Sequence, residues 1–363
     1  MKDPIEIHAE YSVESVKGGS PERKKQSTRI VLAIVAAVVL FIMGMGIWLF
    51  GPMKRVPHPE ILPPTAFAFI TIDLDPETSG FSDLIETAEK EYLKLEPGSF
   101  KARVAMKVTP LIMPKRVTIV ATVEENSTDP GAIFITSMGK IIKFIRLYSG
   151  PFDRVIFRGG LFERDNIKGH KFKILKSFQE RGVIESLTNP EAYTFIGNNI
   201  VAGTSLPLLQ SAYYNYKGAK PSDPMSRGLL YRQMEEILSS DQNGADIYLL
   251  VDNNGGKLSR IIKSYEEKYT FAAFPSIDYV TTINGHLSVL NEEMDSSITF
   301  FCSSPDRLID LKSDVKFIYG AIRRKLKSSG INMKGEILVE KDSVIFNFKI
   351  TNFMDAVLAP SES

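Results

Sequence analysis

The sequence predicts an α+β protein: an N-terminal single transmembrane helix, followed by an exported domain of two similar α+β repeats with largely antiparallel sheets. Three observations carry that reading. Residues Ile30 to Phe50 form an uncharged apolar run, short β-rich segments alternate with amphipathic helical ones from Ala66 onward, and the second half of the chain repeats the order of the first.

The apolar run is 21 residues long. At about 1.5 Å per helical residue it matches the ~30 Å hydrocarbon core of a bilayer. A cleaved secretory signal has an apolar stretch of ~7–15 residues that ends in small side chains. This one ends Ile47-Trp48-Leu49-Phe50, and Trp48 suits the headgroup boundary. Arg23, Lys24, Lys25 and Arg29 precede the run, whereas only Lys54 and Arg55 follow it closely. The positive-inside rule therefore puts the N-terminus in the cytoplasm and the chain beyond Met53 outside. Cys302 is the only cysteine, so no intramolecular disulfide can form, which favours a bacterial envelope over an animal extracellular setting. The expected address is the bacterial inner (cytoplasmic) membrane, single-pass, with the C-terminal domain periplasmic or extracellular. The lipid bilayer is the partner of Ile30 to Phe50, and an envelope protein is a possible partner of the domain.

Residues 1–29 mix charges with Gly and Pro and show no apolar period, the composition of a disordered cytoplasmic tail. They hold six Lys/Arg and five Asp/Glu, so the remaining chain carries 38 of each and has no bulk electrostatic footprint for nucleic acid. After the span at 30–50, residues 51–64 contain Pro52, Pro57, Pro59, Pro63 and Pro64 and read as a stiff spacer, with His58 a solvated linker residue.

The first α+β repeat covers 65–220. Ala66 to Ile72 reads as a strand, Phe81 to Leu93 as a helix, Val117 to Val123 and Ala132 to Thr136 as strands, and Lys140 to Tyr148 as a helix. Phe152 to Phe157 and Lys171 to Leu175 are further strands. Tyr193 to Ile196 and Ile200 to Gly203 form a hairpin across Gly197-Asn198-Asn199, residues that tolerate positive φ. The second repeat covers 221–363. Ala245 to Asp252 aligns without gaps on Ala66 to Asp73, and Ser259 to Tyr269 on Ser82 to Tyr92. Paired strands, a helix and a closing hairpin (Glu336 to Val339, Val344 to Ile350) follow, as an internal duplication would give.

Candidate chemistry is sparse. Ser205, in Gly203-Thr204-Ser205-Leu206-Pro207, sits where a hydrolase nucleophile would, but Pro207 occupies the place of the second Gly. Ser137 and Lys140 have S-x-x-K spacing without the partner motifs. With Ser303-Ser304 before Pro305, these serines share a strand-to-helix position, where a hydroxyl caps the first helical turn. Asp73, Asp75 and Glu77, and Asp252 beside Asn253 and Asn254, lack the spacing of a calcium loop and read as turn and cap chemistry. His170 and His286 read as exposed hairpin residues without metal-ligand neighbours. The helix expected over Asp306 to Lys327 buries one apolar stripe and ends in Arg323, Arg324, Lys325 and Lys327. These cations suit the negative helix terminus or, alternatively, anionic lipid or wall polymer. No residue is assigned a catalytic, cofactor-binding or metal role.

The segment Ile61-Leu62-Pro63-Pro64-Thr65-Ala66-Phe67-Ala68-Phe69-Ile70 and the hairpin and helix of Tyr193 to Leu209 resemble an uncharacterised bacterial membrane-anchored family, a domain of unknown function with a duplicated exported α+β domain. The resemblance implies an anchor and a duplicated domain over residues 60–359, and supplies no reaction or ligand. The expected function is a non-enzymatic binding or envelope-assembly module. The alternatives are a serine hydrolase and a carrier of an apolar ligand between the two repeats.

Overall fold

The computed structural model describes residues 54–75, 80–81, 114–123, 129–138, 142–147, 162–175, 190–218, 228–239, 245–268, 274–290 and 293–353. A first unit, Met1–Gly51, lies wholly outside them, and with it the expected tail and the span Ile30 to Phe50. The strand expected at Phe152 to Phe157 and all but Phe81 of the helix expected from Phe81 also fall outside. Among the described residues no helix is long and apolar enough to cross a membrane.

The second unit is built on one antiparallel sheet. The strands are β1 (Ala66–Asp73), β2 (Pro114–Thr122), β3 (Gly131–Met138), β4 (Phe162–Ile167), β5 (His170–Leu175), β6 (Ala192–Ile196), β7 (Asn199–Gly203), β8 (Ile247–Asp252), β9 (Val280–Leu290), β10 (Glu293–Cys302), β11 (Asn332–Val339) and β12 (Ser343–Thr351). They lie in the order β11-β12-β10-β9-β8-β1-β2-β3-β7-β6-β5-β4. Most of these runs are rich in β-branched and aromatic residues at alternate positions, the pattern that fits a pleated surface, and the edge strand β4 is the exception. Starting from the centre, β1-β2-β3-β7-β6 on one side matches β8-β9-β10-β12-β11 on the other, and β5-β4 extend the first half. The halves join through a backbone ladder, Ala68↔Val251 to Ile72↔Ile247, and no cleft separates β1 from β8.

Five described α-helices accompany the sheet: α1 (Ile142–Leu147), α2 (Leu206–Gly218), α3 (Leu229–Ser239), α4 (Lys257–Lys268) and α5 (Leu308–Ser328). The first half buries what we call its front face under α2 and α3, with the smaller α1 against Phe195 and Ile200 on its back, and the second half buries its back face. On the front face of the first half, Phe69, Val120, Ile133, Ile135 and Val201 pack against Leu209 and Ala212 of α2 and against Leu230 and Met234 of α3. The i, i+4 spacing of the α3 pair gives that helix its apolar stripe. On the back face of the second half, Val251, Ile283, Val344 and Phe346 pack against Ile261 of α4 and Leu308, Leu311 and Val315 of α5. Each side chain fully buried this way contributes about 1.5–3 kcal/mol over leaving it exposed. Among the described residues neither helix nor strap lies on the front face of the second half.

The Pro-rich segment is not a spacer. Val56, His58, Pro59, Ile61, Leu62 and Pro63 are buried, and His58–Ile61 turn as a short 3-10 helix against the front core. Asparagine amides hold this strap: Val56 N donates to Asn198 Oδ1 at 3.0 Å, Asn199 Nδ2 to the Val56 carbonyl at 2.8 Å, and Asn215 Nδ2 to the Leu62 carbonyl at 2.5 Å. The hairpin turn it crosses needs glycine at 197 twice over. The φ there is +58°, and a Cβ would come within 2.4 Å of Val56 and 2.8 Å of the Lys54 carbonyl.

The two expected hairpins form as β6–β7 and β11–β12. Strand β4 and helix α3 were not legible in the sequence.

Candidate functional site

His58 is at the centre of a buried polar chain that brings together residues far apart in sequence. Its Nδ1 lies 2.7 Å from Thr118 Oγ1 and its Nε2 2.7 Å from Ser137 Oγ, and Thr118 lies 2.9 Å from Thr71 Oγ1. Proton directions follow from the far end. The Asn199 amide nitrogen is fixed by its bond to the Val56 carbonyl, so Oδ1 is the atom that accepts the Ser137 hydroxyl at 2.7 Å. Ser137 has then spent its only proton, and His58 Nε2–H must donate to Ser137. Nδ1 is left as acceptor for the Thr118 hydroxyl, which in turn accepts from Thr71. Every donor in the chain is used once.

That direction settles what the histidine and serine can do. A catalytic base must accept the serine proton on its free nitrogen lone pair. Here the imidazole gives its proton toward the serine, and a threonine hydroxyl stands where an orienting carboxylate would. Burial, and then the nearby Arg116 charge, lower the His58 pKa to about 3, against a smaller opposing effect of Asn199. The ring is neutral at physiological pH and acts as a rivet between strap and sheet. His58 is thus buried, contrary to the solvated residue expected, because the strap folds down. The Ser137 hydroxyl points across the sheet to Asn199, and residues 139–141, where a helix capped by it was expected to begin, lie outside the described residues.

The other serines divide. Ser205 Oγ accepts the Leu208 amide at 3.4 Å, a long cap on the first turn of α2. Ser303 instead donates to the Tyr279 carbonyl at 3.1 Å, and Ser304 precedes Pro305 without a side-chain cap bond. Asp73 and Asp252 each accept the amide two residues on, from Asp75 and Asn254, both at 3.0 Å. Asn253 caps α4, its Oδ1 accepting from Leu258 and Ser259. Asp73 and Asp252 therefore serve turns and Asn253 a cap, Asp73 and Asp75 also pair with Arg116 and Lys115, and Glu77 lies outside the described residues. Among the described residues no group of three or more His, Cys, Asp or Glu is placed to hold a metal ion.

His170 is half-buried, where full exposure was expected. Its ring stacks on Tyr213 of α2 at 3.7 Å, and Nε2 donates to Thr194, whose own proton goes to the Lys171 carbonyl. Burial first, then the charges of Arg146 and Lys217, lower its pKa to about 4. His286 is exposed but lies in mid-β9. The Asn284-Gly285 pair before it makes no turn, because both residues pair across to Thr299 and Ile298.

Where no described element covers the front face of the second half, an open groove of about 570 Å³ crosses β9, β10, β12 and β11. Register places two rows along it. One runs His286, Ser297, Asn347, Glu336, and the other Ser288, Asp295, Lys349, Lys334. The first row continues inward to Tyr248 on β8, then to Thr71 and Thr118. The same line of paired residues therefore meets the His58 rivet in the first half, and in the second no described element covers it. Lys349 also pairs with Glu293, whose hydrogen bond raises the lysine pKa. No hydrogen bond joins His286 to Ser297 among the described residues. The groove offers donors and acceptors of both charges without an activated nucleophile. The sequence signal for it was the alternation Phe346, Asn347, Phe348, Lys349 in β12, apolar behind and polar in front.

No family model matches the chain, and no curated protein matches it. Among solved structures it is similar to TP0453. Crystal form III of that protein is 11% identical, covers 85% of this chain and 99% of that chain, and has a TM-score of 0.44. Crystal form I is 11% identical, covers 84% and 97%, and has a TM-score of 0.41.

Proposed function

We infer that this chain is a membrane-anchored extracytoplasmic module that binds a component of the cell envelope, without catalysis, through the open front face of β9–β12. One observation carries the reading. The strap, α2 and α3 cover the front face of one half of a continuous sheet, while on the same face of the other half no described element covers two rows of polar residues. Adjacent strands lie ~4.8 Å apart, so the row from Tyr248 to Glu336 spans ~19 Å, room for an extended polar ligand. The inner membrane is the proposed address, with Ile30 to Phe50 as the span, and the matching strand order of the two halves supports an internal duplication.

A photo-crosslinking residue placed at Ser297 or Asn347 of the membrane-inserted chain tests the site. A discrete adduct from these positions, lost in a His286→Ala/Lys349→Ala background and not formed from Glu163 on β4, is expected. Equal adducts from all positions would refute the groove as the binding face.

A further inference from the structure

We propose that the outer face of α5 is a membrane-contact surface that lies on anionic lipid headgroups. Helix α5 buries Leu308, Leu311 and Val315 against the sheet. Its opposite side has a pattern of its own. Ile309 and Phe317 protrude, 78% and 57% exposed, and Lys312, Lys316, Arg323, Arg324 and Lys327 share their side of the helix at three- and four-residue spacings. This stripe holds five cations, and a single exposed carboxylate, Asp310, stands at its edge seven residues before Phe317. The two acids of the helix are turned to other work: Asp310 pairs with Arg307 at 3.1 Å, and Asp314 accepts the amide and hydroxyl of Ser276. None of the five cations has an ion-pair partner among the described residues.

The chemistry selects a lipid surface over a protein. Ile309 and Phe317 are eight residues apart, ~12 Å along the axis, with lysines between them. That arrangement makes no contiguous apolar patch, and the cores of protein interfaces are depleted in lysine. An interfacial helix has the opposite requirement: isolated apolar side chains that dip below the headgroups, flanked by long cationic ones that keep their charge at the anionic surface. Charge at the helix C-terminus explains Lys325 and Lys327 but not Lys312 and Lys316, which stand in its first half. The inference does not require the span at Ile30 to Phe50.

The test uses the full chain with Trp48→Phe and Phe317→Trp, so that the single indole reports from α5. The chain is reconstituted in vesicles of brominated phosphatidylcholine with or without phosphatidylglycerol. Blue-shifted emission and bromine quenching are expected only with phosphatidylglycerol, weakening at high salt. Both should be lost when Lys312, Lys316, Arg323, Arg324 and Lys327 become Gln, and weakened by Ile309→Ser, which keeps every charge. Emission that is the same in both vesicles, or quenching that survives removal of the charges, would overturn the proposal. So would disulfide trapping of two copies through Phe317→Cys, which would assign the face to a second copy. Carbonate washing of the wild-type vesicles reports on the span separately.

Discussion

Ile70 stands directly opposite Leu249 in the β1–β8 ladder, and each is the other's counterpart in the gapless match of Ala66–Asp73 to Ala245–Asp252. The pairs on either side, Ala68↔Val251 and Ile72↔Ile247, exchange counterparts in the same way. A local two-fold axis normal to the sheet therefore passes between Ile70 and Leu249. The paired turns at Asp73 and Asp252 obey it as well.

Because the halves meet through main-chain hydrogen bonds, neither should be soluble alone. Expressed separately, 54–220 with its strap and 221–363 would each expose a central strand as a raw edge and aggregate. Co-expression should yield a soluble complex, read by co-elution on size exclusion. Two independently soluble monomers would count against the shared sheet.

Ser137 and Ser205 should respond differently to substitution. Ser205→Ala should cost about 0.5–2 kcal/mol and Ser205→Asp much less, because a carboxylate caps as well as a hydroxyl. Ser137→Ala leaves His58 Nε2–H and Asn199 Oδ1 without partners and should cost about 1–3 kcal/mol, with Asp no better tolerated than Ala. Thermal melts of the four variants check this. A fluorophosphonate should label neither serine, and stoichiometric labelling lost in either Ala variant would reinstate a hydrolase.

Acid should loosen the strap. The folded pKa of His58, about 3, lies below the ordinary value of 6.5, so the unfolded chain takes up the proton first as pH falls. Stability is therefore fully present above pH 6.5 and declines from there toward pH 3, by a few kcal/mol at most. His170, lowered to about 4, adds a decline over the upper part of the same window. Melting temperature against pH should show a smaller acid loss in His58→Asn than in wild type, with the His170 share remaining. An identical acid loss in that variant would contradict the neutral buried ring.

The topology reading makes its own demand. Protease added outside spheroplasts should digest the domain, and carbonate should leave the full-length chain in the membrane pellet. A soluble product beginning near Gly51 would mean a cleaved signal, and a protected C-terminus would reverse the orientation.

What was legible in the sequence was local. Gly197-Asn198-Asn199 announced its hairpin because the turn needs positive φ, and the alternation in Ala66–Asp73 announced its strand. The strap was misread because prolines, a histidine and no apolar period look the same in a spacer and in a packed segment. The difference is made by Thr118, Ser137 and Asn199, which lie 60 to 143 positions from their strap partners. Strand β4, Phe-Glu-Arg-Asp-Asn-Ile, was invisible because an edge strand with one neighbour can carry charge on both sides. The groove was half legible, since strand polarity shows in sequence but which described elements cover which face does not.

The docked strap also decides how the domain bears load. Tension arriving along the chain from the N-terminal side reaches the clip between Val56 and the Asn198–Asn199 turn first, and the His58 rivet next, before any of it falls on β1. Strap and β2–β3–β7 would yield as one shear joint, with several bonds loaded together, whereas a plain spacer would peel strand β1 from its end. A soluble version that begins at Ile61 discards that joint, with the buried Val56, His58 and Pro59, and would report on a weaker molecule than the one the cell makes.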